Sequence, residues 1–137
     1  MKIFVYTAPL IYLIEDHPQF AYRIQSYLID CLLNHHELVT SVVSIGEFGV
    51  KPERDGRIDL IKKLADFLEK TEFTIQNIDS SHASLFSKLR ANNSFLKPLD
   101  ALQVSVAYQY GCEVFLTNDK QLKKLRGIKV KLVGVLP

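Results

Sequence analysis

The sequence predicts an α/β protein on a mainly parallel, five-stranded sheet with about seven helices. Three observations predict it. Short apolar runs rich in β-branched and aromatic residues, such as Ile3-Phe4-Val5 and Val114-Phe115-Leu116, are set off by polar or turn residues, as strands buried on both faces should be. Between such runs lie longer segments with apolar residues at three- and four-residue steps, the period of one helix face. The two kinds of segment alternate, and parallel neighbours need such crossover helices.

Taken in order, Ile3 to Val5 is the first strand and Thr7-Ala8-Pro9 a turn, with Pro9 opening a helix over Leu10 to Ile14. Glu15-Asp16-His17-Pro18 breaks it. Phe20, Ile24, Tyr27, Leu28 and Cys31 mark an amphipathic helix ending near Leu33, and Asn34 to Glu37 is a polar loop. Leu38 to Thr40 is the second strand, Val42 to Phe48 a short helix, and Lys51 to Gly56 a charged loop. Leu60, Ile61, Leu64, Phe67 and Leu68 share one face of a helix over Asp59 to Lys70. Phe73 to Ile75 is the third strand, and Ser80 to Asn93 a helix turning Leu85, Phe86 and Leu89 inward. Pro98 then suits a helix's first turn. Leu99, Leu102, Val106 and Tyr110 follow at helical spacing until Gly111 stops the helix. Val114 to Leu116 is the fourth strand, Lys120 to Leu125 a last helix, and Val130 to Val133 the fifth strand.

The chain is read as a single domain over residues 1–137, long enough for a sizeable core. Its 47% hydrophobic and 23% charged residues are ordinary for a globular protein. A net charge of +2 does not by itself point to nucleic acid. Two cysteines, Cys31 and Cys112, are too few for a disulfide scaffold, which points to reduced thiols and a cytoplasmic setting. No apolar run is long enough for a membrane span or a signal peptide.

The chemistry gathers at the strand ends. Asp119 follows the fourth strand, Asp100 opens the helix before it, and Glu47 lies beyond the second strand. Each Asp alone reads as a helix cap. Together they lie where ligands bind in open α/β sheets, at the carboxyl ends of the strands. Carboxylates converging there point to a hard cation, Mg²⁺ or Mn²⁺.

Four stretches carry a family resemblance: Thr7-Ala8-Pro9-Leu10-Ile11-Tyr12, Thr40-Ser41 with Glu47, Lys97-Pro98-Leu99-Asp100-Ala101-Leu102, and Phe115-Leu116-Thr117-Asn118-Asp119. Over nearly its whole length the chain resembles the PIN domain of VapC-type toxins. The resemblance implies a three-layer α/β/α fold and a metal-dependent endoribonuclease of a toxin–antitoxin pair. It also implies a cognate antitoxin and a homodimer. Asp100 and Asp119 would be metal ligands, Glu47 would hold the metal's water shell, and Thr117 would support the site. A carboxylate-held metal activates water and neutralises phosphate, which is what phosphodiester hydrolysis needs. The chain departs from the pattern at Tyr6, where the family's first acid ends strand one. A phenol with a pKa near 10 is a poor Mg²⁺ ligand at neutral pH, so the site should hold metal weakly or not at all.

Lys120, Lys123, Lys124, Arg126, Lys129 and Lys131 make the end of the chain basic. With Lys88, Arg90 and Lys97 they could line an RNA path through phosphate contacts, or form a solvated face. A non-catalytic PIN domain that binds RNA or a protein partner is the alternative reading. A phospho-receiver or nucleotide-binding domain is disfavoured, because Gly46 and Gly49 do not make a phosphate loop.

Overall fold

The structure, a computed structural model, describes residues 1–137. Five strands alternate with six α-helices: β1 (Lys2–Val5), α1 (Thr7–Ile14), α2 (Ala21–Leu33), β2 (Glu37–Ser41), α3 (Val42–Asp55), α4 (Ile58–Lys70), β3 (Thr74–Gln76), α5 (Ala83–Asn92), α6 (Pro98–Gln109), β4 (Val114–Thr117) and β5 (Lys129–Leu132). Three 3₁₀ turns, Ser80–His82, Lys120–Lys124 and Val133–Val135, complete the chain.

All strand pairs are parallel, in the order β3-β2-β1-β4-β5. Period-two alternation assigns each strand's side chains to opposite layers. Ile3 and Val5 join α1, α2, α3 and α4 in one core. Phe4 and Tyr6 join α5 and α6 in the other, where Phe4 stacks on Phe115 at 5.0 Å between ring centroids. Helices therefore cover both faces of the sheet, the three-layer arrangement expected.

Some elements run differently from the sequence reading. The stretch from Lys51 to Asp55 is the last part of α3, not a loop. Pro52 sits inside that helix and is buried; apolar packing offsets the backbone hydrogen bond it cannot donate. Gly56, at φ +69°, ends the helix, a left-handed closure open to glycine. Lys120 to Lys124 forms a 3₁₀ turn rather than an α-helix. On α6 the buried residues include Ala101, Val104, Val106 and Ala107, while Leu99 is exposed. Small side chains let this helix lie close to the sheet, so burial there does not follow residue size.

Candidate functional site

The chain steps outward from β1 to β2 and β3, then returns to place β4 on the other side of β1. That reversal leaves a crevice at the carboxyl ends of β1 and β4, where α/β sheets bind ligands. Tyr6 follows β1 there, and its N–H donates to the Leu116 carbonyl at 3.0 Å. Thr117 ends β4 fully buried, and its hydroxyl accepts from the Asp119 N–H at 3.2 Å. A cavity of about 350 Å³ is lined by Tyr6, Thr7, Tyr12, Glu47, Thr117 and Asp119 among others.

Tyr6 shares its side of the sheet with Phe4, so it points at the α6 layer. Its hydroxyl donates to Asp100 Oδ1. Burial, then this bond, then the charges of Asp100, Glu47 and Asp119 hold the phenol's pKa far above its ordinary value. The phenol is therefore neutral at physiological pH and lies within electrostatic reach of all three acids.

Glu47 is held from the other side. Its Oε1 accepts from Thr7 Oγ1 at 2.7 Å and from Gln103 Nε2 at 3.0 Å. Gln103 is fully buried, and its Oε1 accepts from Ser41 at 2.9 Å and Ser44 at 2.6 Å. Sequence reasoning missed Thr7, Ser41, Ser44 and Gln103 as members of the site. Spacing carried the signal: Gln103 is three residues past Asp100, and Ser41, Ser44 and Glu47 step by three, so each set shares a helix face. Asp119 takes the cap role as well, accepting from the Gln121 N–H at 2.9 Å. Asp100 does not cap α6; it lies in that helix's first turn.

The donor set does not fit a divalent ion. Asp100 is engaged by a phenol and Glu47 by two donors. No group of three His, Cys, Asp or Glu side chains is arranged to hold a metal. Arg90, Lys97, Lys120, Lys123 and Lys124 are all exposed. The ion pairs are Arg57–Asp59, Lys63–Asp16 and His82–Asp79, so none of those five cations is in one. No helix is long and apolar enough to cross a membrane.

A model of the PIN domain matches residues 3–128. No curated protein matches the chain. Several solved structures share the fold, three of which follow. The first is VapBC2 from Rickettsia felis bound to a promoter DNA fragment, at TM-score 0.79 and 18% identity over 96% of this chain and 98% of that one. The second is VapBC from Salmonella typhimurium bound to DNA, at 0.74 and 17% over 97% and 98%. The third is a toxin–antitoxin complex from Klebsiella pneumoniae, at 0.71 and 20% over 96% and 97%.

Proposed function

Because the chain belongs to the PIN domain family, we propose that it is the toxin half of a toxin–antitoxin pair, an endoribonuclease by class whose activity Tyr6 impairs. The pairing with a cognate antitoxin rests on the toxin–antitoxin complexes that share its fold. RNA as the substrate rests on the exposed cations outside the ion pairs, of which Lys97 and Lys120 lie near Asp100 and Asp119 in sequence. Mg²⁺ or Mn²⁺ is the ion that the family's carboxylates would hold. With an acid in place of Tyr6, Asp100 and Asp119 would be its ligands, with Glu47 and Thr117 in support.

One observation carries the impairment: the Tyr6 hydroxyl stands on Asp100 where a fourth carboxylate would complete a cation site. A neutral donor neither attracts the ion nor leaves Asp100 free to bind it. The same observation favours a second reading, a PIN domain that binds RNA or its partner without cutting.

Tyr6→Asp separates the two. The added charge repels its neighbours, so the metal-free variant should melt below the native chain. Mn²⁺ should then raise its melting temperature far more than it raises the native chain's, and RNA cleavage should appear. An unchanged Mn²⁺ response would remove Tyr6 from the ligand position. A Mn²⁺ response without cleavage would favour the binding reading.

A further inference from the structure

A second cavity, of about 500 Å³, opens where the end of α5 meets α6 and the Lys120–Lys124 turn. Asn92, Asn93, Tyr108, Lys124 and Arg126 line it over a floor of two leucines, and no carboxylate does. Neither Lys124 nor Arg126 is in an ion pair. The Lys124 ammonium lies 5.3 Å from the centre of the Phe95 ring, so an aromatic face sits beside the charge. The Tyr108 hydroxyl donates to the Arg126 carbonyl and fixes the backbone there. Gly127, at φ +81°, turns the chain immediately afterwards, a conformation that other residues adopt only with strain.

Two segments join this cavity to the acids. The 3₁₀ turn from Lys120 to Lys124 begins at Asp119; five residues at about 2.0 Å each span about 10 Å. On the other side the chain passes Phe95 and reaches Asp100 in the first turn of α6. A strand seated in the cavity is thus led toward the acidic crevice by both borders.

We propose that this cavity is a subsite for single-stranded RNA, with one phosphate between Lys124 and Arg126 and the adjoining nucleotide beside Phe95. The proposal rests on the RNA reading above but requires neither metal nor cleavage. The chemistry favours RNA over a plain anion. Cations position a phosphate, side-chain amides reach base edges, and the half-buried Phe95 ring gives an unpaired base an aromatic border.

The test is fluorescence anisotropy of a labelled single-stranded RNA oligonucleotide of mixed sequence, titrated with the native chain in EDTA across a salt series. The comparison is Lys124→Gln/Arg126→Gln against Lys62→Gln/Lys70→Gln on α4, which has the same net charge. Each phosphate contact on a single strand contributes about 0.7 to the log–log salt slope. The cavity pair holds one phosphate and should therefore lower the slope by about 0.7 and weaken binding at least tenfold at low salt, while the α4 pair leaves both near native values. Circular dichroism checks the fold; if the double variant is unfolded, Lys124→Gln alone should lower the slope by about half of that amount. Equal slopes for the two pairs, or no RNA binding by the native chain, would overturn the proposal. Displacement of RNA by inorganic phosphate beyond a chloride control of equal ionic strength would assign the cavity to a free anion instead. Displacement by a polyglutamate peptide of equal charge would assign it to an acidic partner. Either result overturns the RNA assignment. Failure here leaves the Mn²⁺ response of Tyr6→Asp untouched, so this proposal and the toxin reading fail separately.

Discussion

Tyr6 packs its ring against Phe115, with centroids 5.2 Å apart, and ends its hydroxyl on Asp100. Tyr6→Phe keeps the packing and removes the donor. The urea midpoint should fall by the equivalent of about 1.5 kcal/mol, the scale of a hydrogen bond to a charged group. The phenol's raised pKa also fixes the sign of an alkaline effect. Its neutral form stabilises the fold fully below the unfolded tyrosine pKa of about 10, and that stability is lost as pH rises further. Tyr6→Phe should flatten that alkaline decline, measured as urea midpoints at several pH values above neutrality. Gln103 is the residue whose loss should cost most. Gln103→Leu leaves Ser41, Ser44 and Glu47 each short of a partner. Unsatisfied buried groups cost about 1–3 kcal/mol each, so thermal denaturation should show a loss near the top of that range. The acids were legible as residues because acids after strands are conspicuous. Gln103 was not, because a single amide in a helix has no signature until its neighbours are placed.

Among the elements, α3 shows what holds the site in place. Ser41 ends β2 and caps α3, accepting from the Val43 and Ser44 N–H groups at 3.2 and 3.4 Å, and donates to Gln103. Ser41→Ala removes both roles and should destabilise by about 2 kcal/mol, seen as a lower urea midpoint with an unchanged slope. Strands and helix types were readable wherever periodicity was strong: Ile24, Leu28 and Cys31 on α2 and Leu64 and Leu68 on α4 are buried as their spacing requires. Three features escaped, each for a physical reason. Pro52 reads as a breaker, yet its burial keeps α3 going. The six residues from Lys120 match a helix pattern but are too few to sustain one, and form a 3₁₀ turn. On α6 Val106 is buried as its spacing requires, but Leu99 is exposed and Ala101, Gln103, Val104 and Ala107 are buried instead, so the buried face is not the one hydrophobic spacing alone implies.

At the scale of the molecule, the edge of the sheet opposite the acids is tied by a separate network. Glu37 Oε2 on β2 accepts from Thr74 Oγ1 on β3 and from the Tyr110 hydroxyl, both at 2.6 Å. Lys2 on β1 donates to the Tyr110 carbonyl at 3.0 Å. The Thr74 and Tyr110 bonds depress the Glu37 pKa. Its contribution to stability is thus present above the ordinary glutamate pKa of about 4.3 and lost as pH falls through the lower folded value. Glu37→Gln should shrink the loss of stability on acidification, followed by circular dichroism from neutral pH downward. The parallel sheet itself was legible, since alternating strands and helices leave few topologies. The place of Tyr6 beside the acids was legible from the motif, but the bond from its hydroxyl to Asp100 was not, because a contact across 94 positions has no local trace. The place of β1 between β2 and β4 also orders events in time. In a chain synthesised from its N-terminus, β1 finds β2 early, while its second edge waits for Val114–Thr117. A strand edge left open is a pairing hazard, so the nascent chain is most exposed to mispairing during that interval. The acidic rim hangs from the start of α6 and the end of β4, so it closes late in translation, and no chain made only as far as α6 carries it.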